Sequence, residues 1–320
     1  MLFLSVAALV GGQGNTRLGP LGEQPDWQRL DPYQHTITKD AFLQLLDVYA
    51  PDKAYRRLIE ITNKEAFIRT GLPRDAGLYR LAFFVPGEKA IGKPARFWRG
   101  KRELGAASKK KPLAGLRIAL DAGHLGGAYA KMEERWFKIG DGQPVKEGEM
   151  TLAVAKRLVP ELEKRGARVF LVRSALRPVT RTRPKDYIPL ARGQLERAGV
   201  VDPPLTYDPE GPRETRGKTV QWHSEKLFYR TSEIRARADR VNDRLKPDVA
   251  ICIHFNAEAW GDPDDPDFVP RNHLHVLVNG TYSAGELRFD DVRLDMLLRL
   301  LQRVHGEELA VASTVATAMA

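Results

Sequence analysis

One strand, helix, strand pattern constrains this chain more than any other feature. Leu116-Arg-Ile-Ala-Leu-Asp-Ala122 is a short apolar run that ends at Gly123. Met150 to Arg165 then carries Leu152, Ala155, Leu158, Val159 and Leu162 on one helical face, and Gly166 closes it. Pro160 is expected to kink this helix. Arg168-Val-Phe-Leu-Val-Arg173 is a second apolar run. Two strands joined by a helix of this length pair in parallel, because the helix carries the chain back to the edge it started from. A third run, Asp248-Val-Ala-Ile-Cys-Ile-His254, follows a basic amphipathic helix over Phe228 to Leu245 that Lys246-Pro247 ends. Asn272 to Val278 reads as a fourth strand, with Asn279-Gly280 as its turn. The expected fold class is therefore α/β, a mostly parallel twisted sheet flanked by helices, with a small N-terminal α+β region.

That smaller region spans residues 15–98. Lys39 to Tyr49 repeats apolar residues at three and four, and Pro51 stops it. A second helix is expected from Lys53 to Ile61, and Leu78 to Val85 reads as a strand. Residues 99–112 are charged, poor in large apolar side chains and closed by Pro112, the texture of a basic linker. The α/β domain then occupies 113–320. Within it, Ser174 to Trp222 is proline-rich and charged, a long surface insertion holding one helix over Ile188 to Ala198. Two further helices are expected over Asp291 to His305 and Glu307 to Ala320.

Charge and cysteine usage narrow the function classes. The 51 basic against 41 acidic side chains leave a net charge of +10, which favours polyanionic partners. Nucleic acid is not expected among them, since Lys109 to Lys111 has no interleaved aromatic residues and no binding motif around it. A single cysteine, Cys252, excludes an internal disulfide and reads as a small core hydrophobe. Residues 1–14 open with Met1-Leu-Phe-Leu-Ser-Val-Ala-Ala-Leu-Val10, which resembles the apolar part of a secretory signal and points to export, to periplasm or cell envelope. No later apolar run reaches membrane-spanning length.

Two of the strands end in histidine. The first gives Asp121-Ala-Gly-His124-Leu-Gly-Gly127 and the third gives Ile253-His254-Phe-Asn-Ala257. Sites in open α/β sheets form just beyond the carboxyl ends of strands. The crossover helix opens with Val145-Lys-Glu147-Gly-Glu149, and its N-terminus must lie at that same edge. One of these two glutamates there would face both imidazoles, and two histidines with one glutamate form a catalytic zinc set. His273 and His275 share one strand face and read as solvated.

The order and spacing of these motifs resemble the zinc-dependent N-acetylmuramoyl-L-alanine amidases of the amidase_3 group, over roughly the last two-thirds of the chain. That family carries an Asp-Pro-Gly-His-Gly-Gly type strand end, where this chain has Ala122 and Leu125. It carries a glutamate shortly before a helix, in a register that Glu147 fits better than Glu149. It then carries arginine and asparagine in a helix, for which Arg235, Ala238 and Asn242 stand here, and a Ser-Ile-His-x-Asn-Ala strand end, here Cys252 to Ala257. The resemblance implies zinc held by His124, Glu147 and His254, Asn256 at the substrate, and hydrolysis of the muramoyl-alanine amide of peptidoglycan. It also implies a second glutamate as general base after a late strand. That glutamate would lie beyond Ala320, so the domain is expected to be C-terminally truncated, with Glu258 the nearest substitute and the catalytic base otherwise unknown. A catalytically weak wall-binding or regulatory protein that keeps the fold is the alternative.

Overall fold

The computed structural model describes residues 17–71, 77–88, 96–209, 211–256, 270, 272–278 and 280–319. The apolar N-terminal segment, Ala257 and Glu258 lie outside them. In chain order the elements begin with α1 (Lys39–Tyr49), β1 (Ile59–Ile61), β2 (Glu65–Arg69) and β3 (Leu78–Ala82). Then come β4 (Arg117–Ala122), β5 (Trp136–Phe137), β6 (Val145–Lys146), α2 (Glu147–Lys164), β7 (Arg168–Leu171) and α3 (Ile188–Arg197). The remainder are α4 (Arg213–Arg216), α5 (Val220–Lys226), α6 (Glu233–Asp239), β8 (Val249–Ile253), α7 (Ala284–Leu287), α8 (Asp290–Gln302) and α9 (His305–Met319). None of the described helices is long and apolar enough to cross a membrane. The chain divides into two compact units, Met1–Ala95 with Leu274–Ala320, and Arg96–His273.

The first unit is built around one apolar core. Thr38 caps α1 by accepting from the Ala41 N–H, and the helix buries Phe42, Leu46 and Tyr49. The antiparallel sheet β1-β2-β3 alternates as a half-buried sheet should, with Ala66 and Ile68 of β2 inside. α8 supplies Leu294, Leu297, Leu298 and Leu301 to the same core, packing against α1. These leucines repeat at helical spacing, which is why 274–320 sorts with the N-terminal region and not with the α/β unit that the sequence reading extended to 320. The second helix expected over Lys53 to Ile61 is instead one tight helical turn, Ala54–Arg57, followed by β1. Ile59 and Ile61 carry β-branched side chains that fit a pleated surface better than a helix.

The second unit is α/β. Its three-stranded sheet is parallel throughout, in the order β7-β4-β8, with Ile118 opposite both Val169 and Val249. α2 makes the crossover from β4 to β7 and runs through Pro160 to Lys164. Leu152 and Ala155 of α2 pack on Ile118, Leu120 and Ala122 of β4, the alternate residues of the central strand. Residues 272–278 form no strand. β8 is therefore an edge strand among the described residues, and Cys252 is exposed instead of lying in a core. An apolar run reads as a doubly covered strand, yet the reading assumes a neighbour that here is not in place.

The basic helix also differs from its expected form. α5 continues into a π-wound turn (Leu227–Ser232), then α6, then a second π-wound segment (Arg240–Leu245). Its inward side chains beyond Phe228 are Glu233 and Arg237, charged and four residues apart. Lys246, in the left-handed conformation at φ 45°, ends the run just before Pro247.

Candidate metal centre

β4 and β8 are adjacent and parallel, so the residues that follow them emerge side by side. Gly123 continues the ladder by donating to the Ile253 carbonyl, and His124 and His254 leave the sheet next to each other. Their ring centroids are 5.0 Å apart and nearly perpendicular, at 88°. A side chain on Gly123 would strike the His254 ring, with a Cβ only 2.4 Å from it, so this position must be bare. His124 itself has φ 55°, a left-handed backbone that costs a non-glycine residue roughly 1–2 kcal/mol.

The α2 N-terminus closes the site. Gly126 and Gly148 approach backbone to backbone, and a Cβ on Gly148 would come within 2.3 Å of the Gly126 nitrogen. Thr151 donates its hydroxyl to the Gly123 carbonyl at 2.7 Å. This brings Glu147 between the two imidazoles. Its Oε2 lies 3.3 Å from His124 Nε2 and its Oε1 lies 3.2 Å from His254 Nδ1. Oε1 also accepts from the Phe255 N–H at 3.0 Å. Burial acts to raise the Glu147 pKa, but the His254 contact, the Phe255 N–H and the two imidazoles outweigh it and hold the carboxyl below its ordinary value. Glu149, the other glutamate of this turn, pairs with Lys146 at 3.2 Å.

One ligating atom from each of His124, Glu147 and His254 falls within 4.8 Å of the others. The two short N···O contacts, at 3.3 and 3.2 Å, run to different oxygens of Glu147, one to each imidazole. The set can hold a divalent cation. Imidazole and carboxylate donors accept zinc and also neighbouring transition metals, so the residues alone do not select one. His254 is half exposed, with its side chain at 51%, while His124 and Glu147 are largely covered, which leaves the cluster open on one side.

Several residues that organise this cluster are not evident in the sequence. Glu133 is buried, and its Oε2 accepts from the N–H groups of Leu125 at 2.8 Å and Gly126 at 3.4 Å. Its Oε1 faces His124 Nδ1 at 3.5 Å. With Nδ1 facing this carboxylate, His124 turns Nε2 toward Glu147. Arg173, just beyond β7, is buried and donates to the carbonyls of Ala122, Gly123 and Gly148. Burial and the neighbouring Arg237 lower its pKa to about 10, so it stays charged at neutral pH. Arg237 reaches from α6 to Asp121 Oδ1 at 3.0 Å and to the carbonyls of Ala122 and His124, braced by Glu233 at 2.8 Å. Arg237, two residues after the expected Arg235, meets the site loop. Asn256 is exposed two residues past His254. The only signal that could have found Arg173 and Arg237 is position: a charge at a strand's carboxyl end, and an acid and a base four apart on an inward helix face.

In comparison with known proteins, no family model, no curated protein and no solved structure matches the chain.

Proposed function

We propose that this protein is a zinc-dependent hydrolase that cleaves the amide between N-acetylmuramic acid and L-alanine in peptidoglycan. The observation that carries the reading is the meeting of His124, Glu147 and His254 at the carboxyl ends of β4 and β8 and the N-terminus of α2. On this reading the three strands belong to a mostly parallel, twisted sheet of amidase type, and the protein works after export, in the periplasm or cell envelope where its substrate lies.

A zinc ion held by these three side chains would supply Lewis-acid polarisation of the scissile carbonyl and a water molecule of lowered pKa. The chain's own residues set that chemistry up. Glu133 faces the His124 Nδ1, so that Nε2 is the nitrogen turned toward the cation site. Glu147 brings a negative charge that partly balances a divalent cation, and the Phe255 N–H holds its orientation. Arg237 and Arg173 pin the His124 loop by its carbonyls and so keep the two histidines in register. The half-exposed edge of His254 leaves room for a polymer to approach, and Asn256 stands there to contact it.

Zinc should bind once per chain. Replacing His124 or His254 by alanine should remove zinc binding and release of free stem peptides from purified peptidoglycan; full activity in either variant would refute the assignment. A second reading is a wall-binding protein of weak turnover. It is favoured by one observation. Among the described residues, Glu133 and Glu147 are the carboxylates within ion-pair distance of the two imidazoles, and both are already engaged. One zinc per chain with no detectable hydrolysis would favour that reading.

A further inference from the structure

Beyond the end of β7 lies a cavity of about 580 Å³ lined by five arginines, Arg173, Arg177, Arg181, Arg183 and Arg240, and by no acidic residue. Five like charges around one concavity are costly unless something anionic answers them, and a cleft of one sign concentrates its field. Among the described residues, no carboxylate pairs with Arg177, Arg181 or Arg240. The nearby Glu233 is buried and already engaged: Oε2 accepts from the N–H groups of Val179 and Thr180, and Oε1 from Arg237. Asp186 is likewise turned to the Arg183 backbone N–H.

The polar wall of this cavity is ordered from behind. Thr180 shares a chain of hydroxyl contacts at 2.7–2.9 Å with Ser232, Thr182 and Tyr187. Arg183 is held by the Thr180 and Thr182 carbonyls. Arg173 forms the inner wall, and its guanidinium donates to the carbonyls of Ala122, Gly123, Gly148 and Ala175. Arg177 and Arg181 are exposed and keep their full donor sets. Guanidinium groups with free donors match phosphate and carboxylate oxygens in paired fashion.

We propose that this arginine-lined cavity is a binding subsite for a ligand carrying two or more oxyanion groups, phosphate or carboxylate, with Arg177, Arg181 and Arg240 as its contacts. The inference does not rest on the metal reading, because it uses only side chains outside the His124, Glu147 and His254 cluster. Arg173 joins the two places physically, so the subsite's occupant would sit beside the loop that carries His124.

The test is calorimetric titration of the full chain with pyrophosphate and, separately, with tricarballylate, at fixed ionic strength. Saturable binding is expected for at least one probe. Arg177→Ala with Arg181→Ala, and separately Arg240→Ala, should weaken it at least tenfold. Arg197→Ala, an exposed α3 arginine outside the cavity, should change it less than twofold and so controls for bulk charge. The preferred probe tells which source of oxyanion the cavity takes. Circular dichroism and zinc stoichiometry should be unchanged in every variant, since none of these residues holds the fold or the cation. Absence of saturable binding, or an equal loss in Arg197→Ala, would overturn the proposal.

Discussion

The two ends of one sheet use carboxylates in opposite ways. At the amino ends of β4 and β8, Asp248 has a side chain with no exposed surface and accepts from Arg99 and Arg117 through both guanidinium groups and both backbone N–H groups, at 2.6–3.3 Å. Burial works against its charge, but these arginines overcome that and hold its carboxyl well below the usual range. At the carboxyl ends, Glu147 is held by imidazoles. An arginine never gives up its proton, so the Asp248 clamp is closed to exchange. A histidine nitrogen can shed its proton and offer a lone pair, so the Glu147 cluster can trade hydrogen bonds for a cation. The difference teaches that a multiply bonded buried carboxylate is structural or functional according to what its partners can release.

This contrast can be broken, most severely at Arg237. Arg237→Ala would leave Asp121 and Glu233 without their buried partner and cost about 3–5 kcal/mol of stability by chemical denaturation. If the variant melts like the parent, the buried ion network is not what holds the loop. Next in size, His124→Ala or His254→Ala should lower zinc affinity by more than about 100-fold, the upper end of what loss of an outer hydrogen-bonding partner costs. The same variants should leave the Asp248 end untouched, seen as unchanged stability without metal to within about 1 kcal/mol.

Asp248→Asn should do the reverse, lowering stability at pH 7 by about 2 kcal/mol with zinc affinity retained. The sign of its pH dependence follows from a depressed folded pKa. The contribution is complete above the unfolded value of about 3.9 and is lost as pH falls through the folded value. The parent should therefore lose stability more steeply below pH 4 than Asp248→Asn does, and parallel acid limbs would count against the clamp. The smallest effect is expected for Glu133→Gln. It keeps an oxygen for the Leu125 N–H but removes the negative charge that faces His124 Nδ1, for a loss of about tenfold in zinc affinity. Substituting cobalt should show whether the coordination spectrum shifts with it, which a general loss of stability would not produce.

Much of the α/β unit was legible in the chain. β4, α2 and β7 follow from hydrophobic spacing, because both faces of a short parallel strand and one face of its crossover helix must be apolar. The two histidines and Glu147 were legible for the same reason: parallel strands put their carboxyl ends together, so residues just past them share an edge. The fourth strand over 272–278 and the burial of Cys252 were misread because a strand's neighbours are set by long-range pairing, which an apolar pattern does not encode.

What the sequence determined by itself, then, is local: periodicity, breaks, and which ionisable groups stand at the ends of elements. Only the tertiary structure decided which buried charges face each other. Arg237 finds Asp121 across 116 residues and Glu133 turns back onto His124, and no spacing rule joins such partners. It also decided that α8 packs with α1 and that five arginines ring one cavity. The physical reason is that hydrophobic burial acts on every apolar face alike and needs only the pattern. A buried ion pair needs two particular atoms within a few ångströms, a condition met only once the chain has closed on itself.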